Sequence, residues 1–219
     1  MSKINIYFVR HGQTYLNLYH RIQGIANAPL TKKGIQDAID AGNRLKSIHF
    51  DQAYSSDAPR AITTAKYILA ANPSELSKPT VDKAFREENF GYFEGNDDEG
   101  LWHMIGSPLG ADTYNEMLKK YSMGKIMDMI HDFDPYHHAE SNQEILERFM
   151  PGFNRVVKNA QDGDNVLVAA HGTIIRWLTQ HFDPQMDITE GPKNGSVTKV
   201  SVIDGKPKVQ YYNRVSDKL

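Results

Sequence analysis

Apolar side chains fill both faces of the run INIYFV at 4–9 instead of alternating with polar ones, and the run stops at Arg10, His11 and Gly12. That pattern predicts a strand buried on both sides, as in a parallel sheet. DNVLVAAHG at 164–172 repeats the form and ends in His171 and Gly172, with the helix TIIRWLTQHF following at once. Between these two runs lies a shorter strand pattern, FDQAYSS at 50–56. Helical periodicity separates the strands. Ile35, Ala38, Ile39, Gly42 and Leu45 share one face after a Thr31 cap, and DAPRAITTAKYILAA restarts the helical period with Asp57 or Ser56 as cap and Pro59 in the first turn.

The stretch VDKAFREENFGYFEG at 81–95 is irregular, acidic and aromatic. From 96 to 140 the periodicity is helical but interrupted by Gly and Pro, which predicts an insertion in which Met117, Leu118, Tyr121, Met127 and Ile130 line one helix face and HDFDPYHHAE forms a loop. Ser141 and Glu144 make a capping box for a helix carrying Ile145, Leu146, Phe149 and Val156, kinked at Pro151. The C-terminal SVTKVSVIDGKPKVQYYN alternates in two halves around Asp204-Gly205, an antiparallel hairpin at a sheet edge. The expected fold is therefore α/β: a three-layer α/β/α sandwich with a mainly parallel sheet and an antiparallel edge, in one domain with the 96–140 insertion roofing the site.

Composition narrows the function classes. The 219 residues carry a formal net charge of −2, which argues against broad binding to nucleic acid or anionic lipid. There is no cysteine, so disulfides, thiolate metal sites and cysteine nucleophiles are excluded, and a cytoplasmic setting is expected. No apolar window reaches the length of a membrane span or of a signal-peptide core. Any positive site has to be local.

Three strand-to-helix junctions supply it. Arg10 and His11 leave the first strand, Arg60 opens the helix after the second, and His171 leaves the third. The carboxyl ends of parallel strands lie along one edge of a sheet, so these side chains converge where helix N-termini also favour anions. Gly12 and Gly172 would let backbone approach a ligand closely. Planar guanidinium forks match a phosphoryl group, one neutral imidazole can attack phosphorus near neutral pH, and a second, protonated, can donate to the equatorial oxygens. No metal is required by this scheme, and the leaving oxygen needs an acid, for which Glu87, Glu88 and Glu94 are candidates. His137, His138 and Glu140 lack chelate spacing.

The ordered set VRHGQT, SSDAPRAITTA, FREENFG and AAHGT resembles the histidine phosphatase superfamily, which includes cofactor-dependent phosphoglycerate mutases, and the resemblance runs from residue 4 to about 203. It implies a phosphoglycerate mutase-like fold, His11 as nucleophile, Arg10 and Arg60 as phosphate clamps, His171 as the second imidazole and Glu87 as the acid. It also implies that Asn17 and Arg21 line the pocket mouth, with Thr14 nearby. Mutases of the family carry a Trp in the stretch corresponding to RIQGIANAPLT and a Pro-Pro segment over the site; neither feature stands here, which favours the phosphatase branch. The expectation is a phosphatase acting on a small phosphomonoester, with no cofactor, no nucleic-acid partner and no membrane. Phosphoglycerate mutase and a non-catalytic phospho-ligand binding module are the alternatives. Oligomeric state, a homodimer included, is left open.

Overall fold

The computed structural model describes residues 2–216. Its elements in chain order are β1 (Lys3–Arg10), α1 (Tyr15–Leu18), α2 (Lys32–Leu45), β2 (Gln52–Ser55), α3 (Pro59–Ala70), β3 (Thr80–Val81), α4 (Asp98–Gly106), α5 (Tyr114–Lys120), α6 (Met123–Phe133), α7 (Asn142–Asn159), β4 (Asn165–Ala170), α8 (Gly172–Phe182), β5 (Val197–Ile203) and β6 (Lys206–Arg214). The sheet order is β3-β2-β4-β1-β5-β6. β1 pairs in parallel with β4, β4 with β2 and β2 with β3, while β5 and β6 run antiparallel. Asp204 and Gly205 both adopt positive φ, 48° and 78°, in the turn between β5 and β6, as a tight hairpin requires.

The unalternating strands are explained by the two layers that cover them. Ile4, Ile6 and Phe8 of β1 pack with Val166 and Val168 against Phe149 and Phe153 of α7 and Ile174 and Leu178 of α8. Tyr7 and Val9 face the other way, with Leu167, against Ala41 and Leu45 of α2 and Ile68 and Leu69 of α3. Burying a large aliphatic side chain contributes roughly 1.5–3 kcal/mol, so both faces of β1 are fixed strongly.

A third apolar cluster lies apart from the sheet. It joins Ile22, Phe90 and Phe93 to Leu101, Trp102 and Ile105 of α4, Met117 of α5, and Ile126 and Ile130 of α6. Met117 and Met127 are fully buried, so these methionines are packing residues. The chain between 96 and 140 does not present one continuous face, however: Tyr121 ends α5 in an extended conformation and Ser122 caps α6. Met117 and Leu118 therefore belong to one helix and Met127 and Ile130 to the next.

One other local expectation is corrected. Ala58, without a side-chain cap, precedes α3, because Asp57 is engaged by Arg86 at 2.7 Å and Ser56 by His171 at 2.7 Å. α7 runs unbroken through Pro151, which leaves the carbonyl of Glu147 without its helical N–H. The Ser141–Glu144 capping box forms as expected.

Candidate active site

β2, β4 and β1 are neighbours in the sheet, so the three junctions that carry basic and imidazole groups open side by side. His11 is buried directly after β1, and its ring centroid lies 5.2 Å from that of His171. His11 Nδ1 is 2.8 Å from the carbonyl oxygen of Gly12. A carbonyl only accepts, so the proton sits on Nδ1 and Nε2 carries the lone pair. Arg60 confirms this tautomer by donating its Nε–H to His11 Nε2 at 3.3 Å. Burial, then the charges of Arg60 and Arg10, push the His11 pKa well below its usual value. The ring is neutral near pH 7, as a nitrogen nucleophile must be.

The guanidiniums are held differently from a simple pair of forks. Arg60 uses Nη1 and Nη2 to donate to the carbonyls of Ala26 and Gly24, at 3.0 and 2.7 Å, leaving Nε toward His11. That loop is itself gathered by Glu94, whose carboxylate accepts from the backbone N–H groups of Gly24, Ile25, Ala26 and Phe90. Glu94 is thus a loop anchor and not an acid at the centre. Arg10 donates from Nη1 to the Pro192 carbonyl at 2.5 Å, and its buried Nε has no partner.

Glu87 and Glu88 separate sharply. Glu87 reaches the N-terminus of α8, where Thr173 N–H donates to Oε2 at 2.9 Å and Ile174 N–H to Oε1 at 3.0 Å. Three backbone N–H groups favour its carboxylate, yet burial outweighs them and raises its pKa. A carboxyl held this way keeps its proton closer to neutral pH, as a general acid requires. Arg148 fixes the segment that presents it, donating to the carbonyls of Ala84, Arg86 and Glu87 and to Glu140. Glu88 is fully buried, and neither of its carboxyl oxygens has a partner.

Arg10, His11, Asn17, Arg21, Glu87 and Gly172 line a cavity of about 270 Å³. Arg60, His171 and Glu87 line an adjoining cleft of about 330 Å³, so Glu87 faces both. Thr14 is elsewhere: it is buried, caps α1, and donates its hydroxyl to Gln23 Oε1 at 2.6 Å. Its role is to shape the loop after His11, since the short α1 needs a capped start. The glycines also have packing reasons of their own. A Cβ on Gly12 would lie 2.0 Å from the Gly34 carbonyl oxygen, so Gly12 lets the loop pack on the start of α2. A Cβ on Gly172 would meet Arg10 Nε at 3.2 Å, so Gly172 makes room for the guanidinium.

Several cavity residues escaped the sequence reading. Arg176 lies four positions after Gly172 on α8, and helical spacing puts it on the same face. Its guanidinium carbon sits 4.7 Å above the Tyr114 ring. Asp98 and Trp102 are likewise four apart on α4, with Trp102 Nε1 donating to Asp98 Oδ1 at 2.6 Å and the indole stacked on Tyr114. Asn194 donates to the His11 carbonyl at 2.9 Å and to Asn17 Oδ1 at 3.3 Å; no local pattern marks it.

The second imidazole differs in charge from expectation. Burial, then the charges of Arg60 and neighbouring groups, push the His171 pKa well below its usual value. That direction disfavours the protonated form expected of it. Among the described residues no group of three or more His, Asp or Glu gathers to hold a metal ion, and no helix is long and apolar enough to cross a membrane. Glu140, considered with His137 and His138, is paired with Arg148 at 2.5 Å.

Known proteins share this arrangement of chain. The histidine phosphatase superfamily (branch 1) matches residues 6–215. A 2,3-bisphosphoglycerate-dependent phosphoglycerate mutase of Streptococcus pyogenes serotype M5 (strain Manfredo) is 34% identical over 195 residues, 82% of this chain and 83% of its own. The crystal structure of a phosphoglycerate mutase from Bacillus anthracis str. Sterne is 37% identical with a TM-score of 0.89, over 99% of this chain and 95% of that one. A mycobacterial glucosyl-3-phosphoglycerate phosphatase, 22% identical with a TM-score of 0.71 over 95% and 98% of the two chains, shares the fold. With matching sequence along almost its whole length and the same α/β sandwich, the chain belongs to the histidine phosphatase superfamily, branch 1.

Proposed function

We propose that the protein hydrolyses a small phosphomonoester through a phosphohistidine at His11. The observation that carries this reading is the neutral His11 ring, with Nδ1 tied to the Gly12 carbonyl and the Nε2 lone pair exposed to an N–H donor 3.3 Å away. A phosphoryl oxygen replaces Nε2 as the acceptor of the Arg60 Nε–H, which frees the Nε2 lone pair. Nε2 attacks phosphorus in line with the leaving oxygen, and the P–O bond breaks as the P–N bond forms. Glu87 gives its proton to the departing alkoxide, then takes one from the water that attacks the phosphohistidine. Arg10, Arg60 and the His171 ring stabilise charge spreading over the equatorial oxygens. These cationic and N–H donors perform the neutralisation that a metal supplies elsewhere, so the reaction is metal-independent. Asn17 and Arg21 hold the organic part at the mouth, beneath a roof formed by the 96–140 segment of this single domain.

Turnover of an aryl phosphate by purified protein tests the reading. His11→Ala removes the activity and the acid-labile phosphoenzyme, a loss on the order of 10⁶-fold for a nucleophile acting with its partners, and a chelator leaves the wild-type rate unchanged. Activity surviving in the variant, or vanishing on chelation, overturns it. A second reading is favoured by the mutases at 34% and 37% identity: transfer from His11 to a substrate hydroxyl in place of water. Interconversion of phosphoglycerates faster than their hydrolysis would select it.

A further inference from the structure

We propose that Ser56 is a positioning residue that selects the tautomer of His171, keeping the proton on Nδ1 so that the neutral ring donates a hydrogen bond to the transferring phosphoryl group. Ser56 ends the β2 junction and is fully buried. Its Oγ lies 2.7 Å from His171 Nε2, and the Ala58 backbone N–H donates to the same oxygen at 3.3 Å. An amide N–H can only donate, so the hydroxyl proton has one acceptor within reach, the Nε2 lone pair. The opposite arrangement, with Nε2–H donating to the hydroxyl, strands a buried O–H without an acceptor, which costs its full desolvation. The hydroxyl therefore donates, Nε2 accepts, and the ring proton belongs to Nδ1.

Nδ1 is the ring atom with no hydrogen-bond partner in the protein. The ring lies beside His11 in the cleft shared with Arg60 and Glu87. With the proton on Nδ1 it offers an anionic oxygen an N–H; with the proton on Nε2 it would offer a lone pair, which repels an anion. The charged and titratable groups around the ring are His11 and Arg10 from the end of β1, Arg60 from α3 and Arg148 from α7, all disfavouring a second proton on the imidazole. Glu87 is engaged at the start of α8 by Thr173 and Ile174 N–H. A protonated His171 is thus opposed from several elements, and the serine supplies a donor without one. Oxyanion donors that need no charge change are worth most in such dry sites. The serine follows β2 while the histidine follows β4, so the contact joins neighbouring strand ends.

This inference rests on the phosphatase reading for its catalytic consequence, but the tautomer itself is tested without turnover. Nitrogen NMR of histidine-labelled protein, with the His171 signals assigned by their loss in His171→Asn, shows a protonated Nδ1 and an unprotonated Nε2 in the resting wild type. Ser56→Ala moves the proton toward Nε2; Ser56→Thr, which keeps the hydroxyl, restores the wild-type pattern. In kinetics Ser56→Ala lowers kcat about tenfold to a hundredfold with KM changed less. The deficit shrinks at acidic pH, where His171 gains a proton and donates from either nitrogen, and Ser56→Thr recovers the rate. A wild-type His171 protonated on Nε2, or a Ser56→Ala variant with an unaltered tautomer and an unaltered pH profile, overturns the proposal. If wild type shows no hydrolysis while the tautomer pattern holds, the functional reading fails and the serine–histidine contact stands.

Discussion

The cavity floor is assembled from the ends of three adjacent parallel strands, whereas its roof is a set of short helices with an apolar cluster of its own. On the floor backbone holds much of the polar centre: Arg60 by the Gly24 and Ala26 carbonyls, Glu87 by the α8 N–H groups, His11 by the Gly12 carbonyl. On the roof the cavity-facing groups are held by one another: Asp98 by Trp102, Trp102 by stacking on Tyr114, and Tyr114 by Arg176 above its ring. Backbone atoms are placed by the fold as a whole, so the floor geometry resists side-chain change elsewhere. A side-chain stack can be rebuilt without moving the sheet. The floor is suited to fixed chemistry and the roof to choosing what reaches it.

The sharpest way to break this division is at Glu87. Glu87→Gln is expected to lower kcat about 10²–10⁴-fold, more for alkyl than for aryl phosphates because poorer leaving groups need the proton more. Because burial raises the Glu87 pKa, its proton is lost as pH rises through that raised value, so the wild-type rate falls on the alkaline side and the variant loses that limb. Rate–pH profiles with both ester types check this. A Gln variant with the full rate and the same limb would remove Glu87 from the chemistry.

A smaller effect is expected at its neighbour. Burial, reinforced by the charge of Glu87, raises the Glu88 pKa well above 4.5. A carboxyl whose native pKa is raised stabilises the fold fully below its unfolded pKa and loses that contribution as pH rises through the native value. Wild type should therefore lose thermal stability relative to Glu88→Gln between pH 4.5 and the raised native pKa, by about 2–4 °C in Tm for each kcal/mol. Melting curves across pH measure it; parallel curves for the two proteins would show that Glu88 is not the titrating group.

The smallest effect belongs to the roof. Asp98→Asn keeps the shape of the α4 face but removes a charge near Arg10. It should leave kcat for a minimal aryl phosphate within about threefold while changing KM among substrates of different charge by up to about tenfold. Steady-state kinetics on a panel of sugar phosphates, phosphoglycerates and phosphorylated amino acids reads this. A uniform collapse of kcat across the panel would mean that roof and floor are not separable.

How much of this was legible depended on the range of the interaction. Apolar runs on both faces of β1 and β4 announced a covered sheet, and the His-Gly endings announced which edge of it lines the cavities. Asp204-Gly205 announced the hairpin and Ser141 with Glu144 the start of α7. Thr14 was grouped with the substrate-binding residues near the loop after His11 and caps α1 there, because a hydroxyl can serve a helix start or a ligand equally well in sequence. Asp57 was one of two alternative helix caps, with Ser56, but pairs with Arg86, a partner supplied by a segment 29 positions along the chain.

What the order of residues determined by itself was the period and polarity of each segment, and therefore the kinds of element and the side chains at the strand ends. Those properties are local, set by neighbours a few positions apart. Only the tertiary structure decided which nitrogen of each imidazole carries the proton, which of two adjacent glutamates faces the cavity, and which way each guanidinium fork turns. Each of those outcomes is the choice of a hydrogen-bond partner, and the partners come from distant segments brought within about 3 Å only when the layers close on the sheet.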